Sequence, residues 1–194
     1  MTVTQQRAAL SLEEIIKQVE GQKHPPVERW NPEFCGDIDM CIKADGTWFY
    51  MGTPITRERM VRLFAGVLRK DEDGKTYLVT PVEKIGITVE DAPFVAIRVD
   101  SVEGENGGAL KFTTNVGDEV LADADHFIRV DVDEATGEPR PYLRVRGRLD
   151  ALIARSVFYE LVELAEHDTI NGEHRLTLRS RGVTFDLGSI GGAD

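Results

Sequence analysis

The chain has little cysteine, a deficit of positive charge and no long apolar run. Cys35 and Cys41 are its only cysteines, and no C-x-x-C pair accompanies them, which leaves neither a disulfide framework nor a thiol-rich zinc site to build. Inert, buried or half-buried thiols in a reducing cytoplasm are the expectation. Nothing approaches the roughly 18 consecutive apolar residues of a membrane span, and Met1–Leu10 has no apolar run, so membrane insertion and secretion lack support. Lys plus Arg total 23 against 34 Asp plus Glu, a net charge of -11. A nucleic acid approaching that surface meets repulsion instead of releasing counterions, which argues against such a partner. Local arginines still suffice for a small anionic ligand.

What is present is an ordinary globular composition: 194 residues, 41% hydrophobic and 29% charged. A chain of this length buries about 70% of its unfolded surface, so a real core forms without staples.

One supersecondary unit reads twice. Asp37 to Val89 is a strand pair closed by Asp45-Gly46, then Gly52 and an amphipathic helix, then a strand pair turning at Lys84-Ile85-Gly86. His126 to Leu187 repeats that order through Thr136-Gly137, Gly147, a long apolar helix and a turn at Arg181-Gly182. The expected fold class is α+β, with two topologically related halves, residues 1–92 and 93–194, each a curved antiparallel sheet packed on one helix.

The local signals behind it are these. Ser11 and Glu14 have capping-box spacing ahead of Leu12, Ile15, Ile16 and Val19, predicting a short helix that ends at Gly21. Ile38, Met40 and Ile42 alternate with Asp37, Asp39 and Cys41, the period of a half-buried strand. Ile55 to Lys70 predicts the first helix of the repeat, with Thr56 as N-cap, and Leu149 to Ala165 the second. Between the copies, Phe94–Val99 and Ala109–Thr114 predict a hairpin outside the repeat. The tail from Gly188 is glycine-rich and expected to be mobile.

Candidate chemistry is sparse. Gly74-Lys75-Thr76 imitates a phosphate-loop ending, yet Arg69 stands where the earlier glycine belongs. No G-x-G-x-x-G follows a strand, and no G-x-S-x-G surrounds a serine. His24, His126, His167 and His174 are scattered, which disfavours zinc. Asp37 and Asp39, two apart on a strand, share a face at roughly 7 Å, suited to acid/base work or a divalent cation in a polar pocket near Trp30 and Trp48, or to a solvated surface. Asp118, Glu119, Asp123, Asp125 and His126 form the densest acidic cluster, suited to a hard cation or to a charged loop. Arg57 and Arg59 beside Thr53, Lys84, and Arg144, Arg146 and Arg148 on one strand offer anion contacts or ion pairs.

Several runs in order also carry a likeness: Gly36-Asp37-Ile38-Asp39-Met40, Asp45-Gly46-Thr47-Trp48, Gly52-Thr53-Pro54-Ile55, Leu78 to Lys84, Thr114-Asn115-Val116-Gly117-Asp118, Ala122 to His126 and Val157 to Glu163. From Pro25 to Ile190 the chain resembles an uncharacterised bacterial family, domain of unknown function 1285. The resemblance implies a duplicated α+β core with a C-terminal half like a pleckstrin-homology fold, a ligand cleft between the halves for a nucleotide-like molecule, and a role in signalling.

The resulting expectation is a cytoplasmic protein that binds a small polar, nucleotide-like ligand through Asp37, Asp39, Trp48, Thr53, Arg57, Lys84, Asn115, Asp118 and His126. No cofactor is identified. Two other classes stay open: a metal-assisted hydrolase built on the acidic cluster, in which Asp118, Asp123 and His126 would converge on a cation, and an interaction scaffold.

Overall fold

The structure, a computed structural model, describes residues 25–104, 107–170 and 172–189. The helix expected over Ser11–Gly21 and the end of the glycine-rich tail lie outside them. The described residues form two compact units, divided between Pro93 and Phe94.

In the first unit, a 3-10 turn at Val27–Arg29 precedes β1 (Phe34–Ile42), β2 (Trp48–Tyr50), β3 (Thr53–Pro54), helix α1 (Glu58–Gly66), β4 (Leu68–Lys70), β5 (Thr76–Val79) and β6 (Lys84–Val89). They make one sheet in the order β3-β2-β1-β6-β5-β4. Asp45-Gly46 turns β1 into β2 as expected, with the Asp45 carboxylate accepting the Thr47 amide. Alternation along β1 sends Met40 and Ile42 inward, opposite Tyr50 and Trp48, and leaves Asp37 and Asp39 outward. Trp48 stacks on Phe64 of α1, ring centroids 6.3 Å apart, so the helix covers the inner face.

The second unit holds β7 (Phe94–Gly104), β8 (Gly107–Thr114), β9 (Glu119–Leu121), β10 (Ile128–Val132), β11 (Pro139–Arg146), β12 (Leu149–Ile153), helix α2 (Arg155–Leu164), β13 (Glu166–Ile170), β14 (Glu173–Ser180) and β15 (Val183–Ser189). β7 to β12 form a second sheet, β10-β11-β12-β7-β8-β9, and β13 to β15 a third of three strands.

The fold is α+β and duplicated, but the copies begin elsewhere than the sequence landmarks suggest. Numbered within each sheet, both run 3-2-1-6-5-4, and in both the first and last strands pair in parallel at the centre while all other pairs are antiparallel. The repeat is therefore β1–β6 and β7–β12, and the hairpin assigned outside it opens the second copy. The helix caused the misphasing: it lies between the third and fourth strands in one unit and after the sixth in the other.

Both helices are shorter than their apolar patterns. Leu68–Lys70 leaves the first as strand β4, and Leu149–Ile153 becomes β12, hydrogen-bonded between β11 and β7. For Leu149–Ile153 a position in mid-sheet overrides the helical preference, and for Leu68–Lys70 pairing with β5 at the sheet edge does so. The N-cap of α1 is Arg57, with no side-chain cap, instead of Thr56. Gly52 (φ 72°), following Met51 (φ 48°), makes the left-handed corner from β2 to β3, and Gly86 lies within β6 rather than at a turn. Among the described residues no helix is long and apolar enough to cross a membrane.

Candidate functional site

On the outer face of the first sheet, cross-strand register lines up Asp37, Gly86 and Tyr77. A side chain at Gly86 would strike the Asp37 carboxylate, and the Phe34 ring stands 3.6 Å from the same point. Asp37 and Phe34 thus fold over one bare strand position. Phe34 meets Tyr77 edge-on at 6.0 Å and is 53% exposed. The carboxylates of Asp37 and Asp39 make no hydrogen bond or ion pair among the described residues.

Beside them runs a closed network. Arg69, only 7% exposed, grips Asp71 through Nε (2.6 Å) and Nη2 (3.2 Å), while its Nη1 donates to the carbonyls of Val27 (3.0 Å) and Trp30 (2.6 Å). Lys84 lies 3.2 Å from Asp71 and 4.7 Å above the Tyr77 ring. Partial burial disfavours the Asp71 carboxylate, yet hydrogen bonds from Arg69 and Lys84 outweigh it and hold its pKa below the usual range. Tyr77 donates to Asp73 at 2.5 Å, and that bond pushes its pKa up to about 12.

Of the expected ligand contacts, Asp37, Asp39 and Lys84 share this outer face. Trp48 does not: it is 1% exposed on the inner face, packed on Phe64, and burial removes it as a stacking surface for a ligand. Thr53 and Arg57 are exposed, on edge strand β3 and at the start of α1.

In the second unit Asn115 is a structural clamp. Its amide donates to the Val95 carbonyl (2.8 Å) and its side-chain oxygen accepts the Val95 amide (3.0 Å), beside the register shift in β7. Asp118 pairs with Arg146 at 2.7 Å, and Glu119 with Lys111 at 3.0 Å. Asp123 accepts the amides of Asp125 (3.0 Å) and His126 (2.9 Å), contacts His126 Nδ1 (3.0 Å) and pairs with Arg181 (3.1 Å). Burial works against its ionisation, but the His126 hydrogen bonds keep its pKa low. The acidic run is thus spread over separate partners, and among the described residues no three His, Cys, Asp or Glu side chains group to hold a metal. Asp118, Asp123 and His126 do not converge as the hydrolase reading required.

The arginine strand is also divided. A register shift between Arg144 and Arg146 breaks the alternation that would align Arg144, Arg146 and Arg148. Arg144 pairs with Asp150 (2.5 Å) and lies over Phe127 (4.9 Å); Arg146 lies over Phe94 (4.9 Å); Arg148 falls in the β11–β12 turn. Arg129 pairs with both Asp131 and Asp150 and covers Tyr142 at 4.2 Å. The Phe34 and Gly86 contributions escaped sequence reasoning; a glycine inside the expected strand is the signal that marks a close approach.

Residues 25–92 match the family model described as domain of unknown function (DUF1285), N-terminal domain, and residues 93–187 its C-terminal counterpart, described as protein of unknown function (DUF1285). The chain is similar to the crystal structure of a DUF1285 family protein from Silicibacter pomeroyi DSS-3, at 47% identity over 92% of this chain and 95% of that one, with a TM-score of 0.83. A DUF1285 family protein from Shewanella baltica OS155 is similar at 26% identity over 64% of this chain and 90% of its own, with a TM-score of 0.51. No curated protein matches. The likeness carried by the Gly-Asp-Ile-Asp and Thr-Pro-Ile runs therefore holds across both units, and the chain belongs to the DUF1285 family.

Proposed function

We propose that the protein binds a small polar, nucleotide-like ligand by its phosphate and acts in regulation, not catalysis. One observation carries the reading. Helix α1 opens at Glu58 without a side-chain cap, and Arg57 and Arg59 flank that opening with no ion pair among the described residues. The first amides of a helix lack intrahelical partners and sit at the positive end of its dipole, which suits a phosphate. Thr53, exposed on the adjoining edge strand, adds a hydroxyl. By contrast Arg69, Arg129, Arg144, Arg146 and Arg175 already hold carboxylates.

The test is a thermal-shift titration with adenosine and guanosine mono- and triphosphates and with inorganic phosphate. Ligand at a hundred times its dissociation constant adds about 2.7 kcal/mol, a rise of about 5–10 °C for a chain of this size. The double variant Arg57→Ala, Arg59→Ala should keep the ligand-free midpoint and lose the rise. A midpoint unmoved by every compound, or a rise that survives in the double variant, rejects the reading.

A further inference from the structure

We propose that Phe34 and Asp37, folded over Gly86, form a docking notch for an arginine side chain of a basic partner protein. The surface lies on the opposite face of the sheet from α1, so it is independent of the phosphate reading. Three features of the molecule converge here.

The first is shape. Every other position along the centre of β6 carries a side chain, but Gly86 carries none and is itself buried, because the parallel β1·β6 seam lays the Asp37 carboxylate over the bare position with the Phe34 ring edge beside it, which holds both groups together at the surface. Gly36 holds a φ of 103°, a backbone that favours glycine, and the β1·β6 register shifts between Phe34 and Asp37. That bulge re-aims Phe34 so that ring and carboxylate flank the same spot.

The second is chemistry. A half-exposed aromatic ring beside a carboxylate with no partner among the described residues is what a guanidinium recognises: it stacks on the ring and donates two parallel hydrogen bonds to the carboxylate. Lysine or a simple ammonium uses only half of this geometry. Val82, 61% exposed in the turn that leads into Lys84, lies at the end of the sheet where the Lys84 amide bonds the Glu33 carbonyl, and it offers apolar surface for the rest of a peptide.

The third is charge. On this face Arg69 and Lys84 are both bound to Asp71, while Asp37, Asp39 and Asp73 remain beyond that pairing. The local excess is negative, as is the whole chain at -11, so a basic partner is steered toward it at low ionic strength.

The experiment uses the full chain and a capped tri-arginine peptide, with tri-citrulline as its uncharged counterpart, followed by calorimetry and by amide shifts over residues 34–39 and 84–88. Tri-arginine should bind and shift those amides, and tri-citrulline should not. Phe34→Ala and Asp37→Asn should each weaken binding about tenfold, the scale of losing a ring contact or one charged hydrogen-bond pair. Glu134→Gln, which removes one exposed charge in the other unit, should leave binding unchanged. Gly86→Ala is the sharpest variant: its methyl displaces only the exposed Asp37 carboxylate, so the melting temperature should hold while binding falls as in Asp37→Asn. Absence of binding, shifts elsewhere on the chain, or equal losses in Asp37→Asn and Glu134→Gln overturn the proposal, since each reduces the association to diffuse attraction or none.

Discussion

At the residue scale, the decisive side chains are those whose partners the sequence does not announce. Arg69 falls in sequence near the end of the helix expected over Ile55 to Lys70, where nothing marks it out. In the structure it is buried, and its guanidinium fastens the chain at Val27 and Trp30 to the edge of the sheet while holding Asp71. Removing it takes a donor from the Val27 and Trp30 carbonyls and leaves the partly buried Asp71 carboxylate with Lys84 alone, so Arg69→Ala should cost about 2–4 kcal/mol in urea unfolding. Arg69→Lys should recover little, because one ammonium cannot span the carboxylate and both carbonyls. A loss below half a kcal/mol would show that the network is ornamental. Asp37 and Asp39 were legible as an outward pair from alternation alone. Trp48 was not legible as core, since its proximity to Asp39 in sequence hides the fact that it sits on the other side of the sheet.

At the element scale, a buried serine helps join the three-stranded sheet of the second unit to its six-stranded sheet. Ser180, fully buried at the turn from β14 to β15, accepts the Leu110 amide (2.9 Å) and donates to the Ala122 carbonyl (2.6 Å). The Arg181 amide adds a bond to the Gly108 carbonyl (3.1 Å), and its guanidinium a bond to Asp123. Ser180→Ala leaves a buried amide and a buried carbonyl unpaired, a loss of about 1–3 kcal/mol. Hydrogen exchange should quicken at Leu110 and across β14 and β15 while β1–β6 is untouched; uniform quickening would mean that Ser180 acts on global stability alone. The hairpin itself was readable, because Arg181-Gly182 is a turn with left-handed φ at both residues. Its docking was not, because a lone serine in a strand carries no pattern.

At the scale of the whole molecule, acidic surplus and ion pairing act together. Asp71 and Asp123 have pKa values held below those of an unfolded aspartate by their hydrogen bonds to Arg69, Lys84 and His126. A depressed carboxylate stabilises the fold above its unfolded pKa, about 4, and that contribution disappears as pH falls through the folded value. The melting temperature should thus stay level from pH 8 to 5 and drop below about pH 4, followed by circular dichroism. Arg69→Ala should flatten the part of that drop which Asp71 supplies; an unchanged acid limb would separate Asp71 from acid stability.

The sequence by itself determined the class of molecule, the strand periods, the hairpin turns at Asp45-Gly46 and Arg181-Gly182, and the fact of a duplication. Each is set by a local cause: side-chain alternation, a glycine able to take positive φ, or a run of residues shared with a family. Only the tertiary structure decided where the duplication begins, that Leu149–Ile153 is a strand, and which charges are spent. Those outcomes depend on hydrogen bonds between strands distant in the chain: β12 becomes a strand because β7 and β11 lie on either side of it. A carboxylate likewise stays without a partner among the described residues, as at Asp37, or is committed, as at Asp118, according to which distant arginine the fold brings within reach.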